Sequence, residues 1–552
     1  MERITTQTKV IREGAHFESQ ESFNKHCSMT DTTVSSLKRC GVPLDYLPDK
    51  TYATSTDEHH VLIVGDTGCG KTRRLIVPTI RLLSKTGQSM VISDPKGELY
   101  QKTARGLVKR GYDLKVLNFR NPRRGQRWNP FTVIENLYRS AVPENKDKAL
   151  LMLQDILDIM KKNVHSERDT FWENVAEQYL TAMILSILEY GTPGSLSFMA
   201  LSSFESEISS WVREYCTNTN RIEPVEEKGH FKALNAFLNA LPEDSPIRNN
   251  FNSFLSVADD LRPLESISME SHVMANIYSK QSTLQYLLSD SDFDIKDLGR
   301  KPMVFFIILP DDSEAMYPLA TMFVNQVYSQ MVDLAYENGG LLPNPVNFVL
   351  DEFANFTRLP NFRSMLTASR SRRMRLFLVV QDVDQLVAQY SPTEAAIIRS
   401  NCQDWVFMGC RNLDFLDMLV RISGTHFDKY TGVGSPLVSL TDLLTLQKGE
   451  TVVWIRGCNP KRCWLPDYSD VDFGDEDISE TDFPPQNEEL PDKVGSFMEI
   501  LKNSEDDLQF SLHEKQEKPK TYEEDLTDDL DELIDEQTWD SLEDDDSEEE
   551  SF

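Results

Sequence analysis

Apolar residues follow two rhythms along this chain, and the switches between them divide it. From about residue 58, short β-branched runs alternate with segments of helical spacing. Residues 61–64 (VLIV), 89–92 (SMVI) and 114–119 predict strands, and residues 73–84 and 101–110 predict helices between them. Such alternation predicts a parallel sheet with helices on its faces. From about 131 to 300 the rhythm becomes helical, with hardly a β-rich run. Examples are Leu150, Leu151, Leu153, Ile156, Leu157 and Ile159, then Phe171, Val175, Tyr179 and Leu180. Strand patterning resumes in KPMVFFIILPDD, PVNFVLDEFANF, MRLFLVVQDVDQL and DWVFMGC. A last β-like pair, 451–456 and 462–465, flanks the turn-rich GCNP. The sheet is therefore expected to be interrupted by an all-α insertion and then completed.

The first strand breaks at Gly65-Asp66-Thr67-Gly68-Cys69-Gly70-Lys71-Thr72, which fits G-x-x-x-x-G-K-[ST] at every fixed position. Glycines let backbone N–H groups turn onto phosphates, where a Cβ would block the approach. In this reading Lys71 reaches the β- and γ-phosphates, Thr72 holds Mg²⁺, and the helix that follows points its positive end at the anion. The loop alone does not separate a kinase, a small GTPase, a helicase and a pump. NFVLDEF narrows the choice: Asp351 ends an apolar strand, where it can join the Mg²⁺ shell, and Glu352 is placed to polarise a water. That pairing belongs to motor-type ATPases. Gln381 ends the apolar strand of LVVQDVDQL; its spacing fits either a γ-phosphate sensor or a solvated strand end. Arg370, Arg372, Arg373 and Arg375 are candidates for an arginine finger acting in trans or for DNA phosphate contacts, with plain solvation the alternative. The stretch 105–127 sets eight Lys/Arg against Asp113 and reads as a nucleic-acid path or, in part, a solvated helix face.

The formal charge of −32 argues against a nucleic-acid partner only until it is located. Residues 467–552 carry 34 acidic and 5 basic side chains, a net of −29, so the rest is nearly neutral. That acidic, proline-punctuated tail is expected to be largely disordered; Leu526, Leu530, Leu533 and Ile534 are spaced to form a helix on a partner, with a solubilising tail that has no partner the alternative. Eight cysteines without a C-x-x-C pair, one of them inside the phosphate loop, predict reduced thiols in a cytoplasmic protein. No apolar run approaches the ~18 residues of a transmembrane helix, and the N-terminus lacks a signal-like apolar core.

In order along the chain stand the phosphate loop, SDPKGELY, RWNPF, a helical insertion, FVLDEFANF, an Arg-rich segment and VVQDVDQL. This succession, from about 58 to 465, resembles the TraG/TraD-type coupling ATPases of conjugative type IV secretion systems. The resemblance implies an α/β fold: a RecA-like P-loop nucleotide-binding domain in two parts (58–130 and 301–465) around an all-α domain (131–300). A segment of unassigned role (1–57) and the acidic tail (466–552) flank it. It implies ATP and Mg²⁺ as cofactors, a homo-oligomer of hexameric type, and delivery of relaxase-bound single-stranded DNA to a secretion channel. By position, Lys71 and Thr72 match the family's phosphate loop and Asp351 and Glu352 its Walker B pair. Gln381 matches the motif after it, and Arg370 and Arg372 match its R-x-R element. Typical members carry transmembrane helices before the phosphate loop. Here mostly polar residues precede it, as in the anchorless variants of Gram-positive conjugative plasmids. A separate membrane-anchored channel component is then implied, with peripheral recruitment to the membrane. Two competing readings remain: a soluble FtsK/HerA-like duplex translocase, and a substrate adaptor whose ATP site is a non-hydrolysing switch.

Overall fold

The computed structural model describes residues 14–56, 59–162, 170–219, 230–256, 278–279, 281–428, 430–474, 479–487 and 496–508. The N-terminal strands β1 (Ser28–Asp31), β2 (Pro43–Tyr46) and β3 (Thr51–Thr54) form a small antiparallel sheet of order β1-β3-β2. The main sheet takes β4 (Val61–Gly65), β5 (Ser89–Asp94), β6 (Asp113–Asn118), β7 (Met303–Ile308), β8 (Val346–Leu350), β9 (Met374–Val380) and β10 (Asp404–Gly409). After a short ribbon of β11 (Thr425–Phe427) and β12 (Gly434–Pro436), it is finished by β13 (Glu450–Ile455) and β14 (Lys461–Trp464). Its order is β14-β13-β10-β4-β9-β8-β5-β7-β6. The run from β10 to β6 is parallel throughout, and β13 and β14 add an antiparallel edge.

Both faces of the sheet are covered, which explains why its strands are continuously apolar rather than alternating. Leu62 and Val64 of β4 point into the core shared with the helical insertion; Val61 and Ile63 point into the opposite core. The helices from Thr132–Tyr138 to Ser282–Leu287 are the insertion. At its centre Thr170–Tyr190 buries Ala182, Met183, Ile184 and Ile187 completely, and Tyr179 stacks on Phe254 with ring centroids 4.1 Å apart. The helical periodicity selected the right residues with exceptions: Leu150, Leu151 and Phe171 are exposed.

Two stretches whose sequence predicted little are firmly built in. The N-terminal sheet packs on the second core through Leu44 and Tyr52, and Phe23 of the helix Gln20–Lys25 before it joins the same core. Buried Lys85, at the end of the helix Val77–Ser84, gives its ammonium hydrogens to the Thr32, Val34 and Phe473 carbonyls. That one side chain ties the phosphate-loop helix to both flanks of the chain. Beyond residue 466, where an unstructured tail is expected, Asp467 pairs with Arg73 at 2.7 Å and Phe473 is buried. Phe483 stacks on Tyr100, and the helix Phe497–Leu508 lies on the insertion through Phe497, Ile500 and Leu501. The leucine-bearing segment around 526–534 lies outside the described residues. Among the described residues, no helix is long and apolar enough to cross a membrane.

Candidate functional site

The site follows from strand order. β4 leads to β5 in sequence, yet β9 and β8 lie between them in space. A crevice therefore opens at the carboxyl ends of these strands, where parallel sheets bind ligands. The loop after β4 carries Gly68 at φ +85° and Gly70 at φ +102°, a region that L side chains rarely adopt. It runs into a π-turn over Thr72–Ile76 and then the helix Val77–Ser84. The Lys71 ammonium sits at the mouth of the loop, donating to the Gly65 carbonyl and, at 3.3 Å, to that of Asp66.

Four strand ends converge on one cleft of about 430 Å³, lined by the phosphate loop, Asp94 to Lys96, Glu98, Asp351, Glu352 and Gln381. Gln381 is the joint between its halves. Its amide nitrogen donates to both Glu352 carboxylate oxygens at 2.8 Å. Its amide oxygen accepts from the Thr67 hydroxyl at 3.2 Å. β9 lies between β4 and β8, so only a residue at its carboxyl end can touch the phosphate loop and the acid after β8 together. Of the two roles that spacing left open for Gln381, the solvated strand end does not describe it. Glu352 itself has φ 52°, a left-handed conformation unusual for a residue with a side chain.

Asp351 is buried, and burial with the adjacent Glu352 pushes its carboxyl up to about 7, against the opposing pull of Lys71. Burial likewise raises Asp94 to about 6. Crowded carboxylates held this way favour a proton or a cation in front of them. Among the described residues no group of three His, Cys, Asp or Glu side chains could enclose a metal unaided. An ion here would draw most of its ligands from phosphate and water, as Mg²⁺ does. Thr72 and Asp351 both line the cleft.

Position bears on three expectations. Arg370 and Arg372 occupy a short turn before β9, at the opposite end of that strand from Gln381. Seven residues at about 3.3 Å each put them ~20 Å from it, and neither lines the cleft. Arg375 is buried and donates to Asn347, to Gln88 and to the Cys40 carbonyl, so it holds the sheet rather than DNA. The basic stretch is largely engaged: Arg105 with Ser479, Arg110 with the Ser35 carbonyl, Lys115 with Asp113, Arg120 with Asp311 and Arg127 with Asp292. Three of its eight cations are thus paired with acids, and two more donate to neutral oxygens. Asp94, Tyr317, Asn355 and Lys448 line the cleft and were not anticipated as site residues. For Asp94 the signal was present, since it ends an apolar strand just as Asp351 does.

A doubly covered parallel sheet, a glycine loop between strand and helix, and an Asp-Glu pair joined to that loop by a glutamine define a P-loop NTPase of RecA-like fold. The chain belongs to the type IV secretory system conjugative DNA transfer family, whose profile matches residues 13–426. Among solved structures it is similar to the unbound bacterial conjugative coupling protein TrwBΔN70, with TM-score 0.56, 19% identity, and coverage of 86% of this chain and 96% of that one. It is also similar to TrwB in complex with the non-hydrolysable ATP analogue ADPNP (TM-score 0.56, 18% identity, 87% and 98% covered). A third similar structure is TrwB with ADP and Mg²⁺ (0.55, 18%, 83% and 94%). At these identities the likeness is one of fold. No curated protein sequence matches the chain.

Proposed function

We propose that this protein is an ATP- and Mg²⁺-dependent coupling motor that recruits relaxase-bound single-stranded DNA and feeds it to the secretion channel. The observation that carries the reading is the Thr67–Gln381–Glu352 bridge. It links the phosphate-binding loop to the acid that would orient the attacking water, which is the coupling a motor needs between nucleotide state and conformation. Lys71 binds phosphate, Glu352 acts as general base, and Gln381 holds Glu352 and responds to the γ-phosphate. When bound, Mg²⁺ neutralises the β- and γ-phosphate oxygens. Arg370 and Arg372, remote from their own cleft, serve a neighbouring copy, which makes a homo-oligomer of hexameric type part of the proposal. A membrane-anchored channel component supplies docking, and the acidic tail beyond the described residues recruits the relaxase.

The test is ATP turnover by the full chain with and without single-stranded DNA, run beside native mass measurement. Stimulated turnover by an oligomer is expected. Tight nucleotide binding with no turnover in either condition would leave the adaptor reading standing instead; stimulation by duplex alone would favour the duplex translocase.

A further inference from the structure

Among the described residues that line the cleft, Asp94 is the one with a buried side-chain atom that makes no hydrogen bond. It lies at the carboxyl end of β5, beside β8, and Ser93 pairs in register with Leu350. The next positions outward on the two strands are Asp94 and Asp351. Ser93 Oγ donates to the Asp351 carbonyl at 2.8 Å, fixing that juxtaposition. Asp94 is 1% exposed. Its Oδ2 accepts from the Tyr100 backbone N–H at 2.8 Å and so tethers the start of the helix Glu98–Lys109. The backbone N–H groups of Gly97 and Leu99 also lie near the carboxylate, yet its buried Oδ1 makes no hydrogen bond of good geometry, in a residue that lines the nucleotide cleft.

The tether explains one oxygen and leaves the other. A buried carboxylate oxygen without a partner is costly, so the site is built to supply one from the cleft side. Charge decides what it supplies. Asp94, Asp351 and Glu352 all face this cleft, and a nucleotide adds further negative charge. In all, six carboxylates (Asp66, Asp94, Glu98, Asp311, Asp351 and Glu352) line it against four cations (Lys71, Arg73, Lys96 and Lys448), which do not offset them and a polyphosphate together. A hydrated divalent cation does, and its waters are strong donors to a carboxylate oxygen.

We propose that Asp94 is a further residue of the Mg²⁺ site: its free oxygen accepts a hydrogen bond from a water on the ion that Thr72 and Asp351 hold. Asp94 is thereby a positioning residue that acts through the metal's hydration. This rests on the ATP and Mg²⁺ reading above.

The test uses full-length Asp94→Asn and Asp94→Ser, each of which keeps a short oxygen acceptor for the helix start and removes the charge. Fluorescent ADP is bound first in EDTA, then Mg²⁺ is titrated onto the ADP complex, with Mn²⁺ followed by electron paramagnetic resonance as a direct metal readout. Metal-free ADP binding is expected to be unchanged or tighter, because a negative charge near the phosphates is gone. Metal affinity of the ADP complex is expected to fall about tenfold or more, the usual cost of losing a partner of a metal's ligands. Metal titrations that overlay the wild type overturn the proposal and leave Asp94 as a helix tether only. A lowered melting temperature in both variants without nucleotide or metal, at unchanged metal affinity, overturns it in the same way. Wild-type protein that binds ADP equally well with and without Mg²⁺ would instead defeat the ATP–Mg²⁺ reading itself.

Discussion

Glu352 and Gln381 form the pair on which single-residue predictions rest. Glu352→Gln removes the carboxylate that orients water but leaves Lys71, Thr72 and Asp351 in place. It should keep ATP affinity near wild type while turnover falls roughly 10²- to 10⁴-fold; equilibrium binding and steady-state turnover measured on one preparation check this, and normal turnover would strip Glu352 of its role. Gln381→Ala deletes the two hydrogen bonds to Glu352 and the one from Thr67. Its expected signature is a lower kcat with little change in nucleotide Kd, because the base is freed to wander while the phosphate loop stays intact. A change confined to Kd would mean that Gln381 serves binding rather than catalysis. Lys71→Ala should lose productive phosphate binding outright, since no other buried cation among the described residues lines the cleft.

At the scale of elements, the turn carrying Arg370 and Arg372 is held by a histidine that lies outside the site. His60, just before β4, is buried. Its Nδ1 accepts from the Leu376 backbone N–H at 3.0 Å and its Nε2 donates to the Leu366 carbonyl at 2.9 Å. It therefore pins the chain on both sides of the arginine turn, and it does so as the neutral ring. Burial lowers its pKa from 6.5 to about 4. The unfolded chain consequently binds this proton more readily, so the stability His60 contributes is full above about pH 6.5 and is lost as pH falls toward 4. Asp94 and Asp351, with raised pKa values, work in the opposite sense, so the comparison must be with His60→Gln. Denaturant unfolding of both proteins from pH 7.5 to 4.5 should show a stability gap that narrows on acidification; a constant gap would remove the histidine's share. The arginine turn has its own test. Chains with Arg370→Ala and Arg372→Ala should bind ATP normally and turn it over poorly. Mixing them with Lys71→Ala chains should restore activity if the arginines act across an interface, and no mixing ratio should help if they act at home.

The whole molecule places the end of the motor later than the charge pattern does. Acidity rises from residue 467, but the described chain beyond that point contributes Asp467 to Arg73, Phe473 to the second core and Phe483 against Gly97. The helix Phe497–Leu508 then covers the insertion. Burying Phe497, Ile500 and Leu501 contributes roughly 1.5–3 kcal/mol each. Truncation after residue 508 should therefore leave melting temperature and ATP binding unchanged. Truncation after 466 should lower the melting temperature by many degrees and weaken nucleotide binding, because Phe483 braces the loop from Asp94 to Glu98. Equal stability of the two truncated proteins, by thermal denaturation, would make this strap an ornament.

Much of the cleft was legible in the sequence because its chemistry is local. The eight-residue loop from Gly65 to Thr72 and the Asp351-Glu352 pair each carry their physical reason within a few positions: glycines for positive φ, a lysine for phosphate, carboxylates at the end of an apolar strand. Continuous apolar runs likewise announced a doubly covered parallel sheet, and the 3.6-residue rhythm announced the helical insertion. What stayed hidden depends on partners far away in the chain. Gln381 was ambiguous until β9 was seen lying between β4 and β8. The basic stretch looked open because its acids, Asp292 and Asp311, are more than a hundred residues distant in sequence. The N-terminal sheet and the strap after 466 are polar and short, and their stability comes from docking rather than from any periodicity of their own. Sequence alone determined which side chains could do the chemistry, since composition and spacing fix local conformation and charge. Only the tertiary structure decided which of them meet, because strand order is set by long-range pairing and by the burial of two opposing cores.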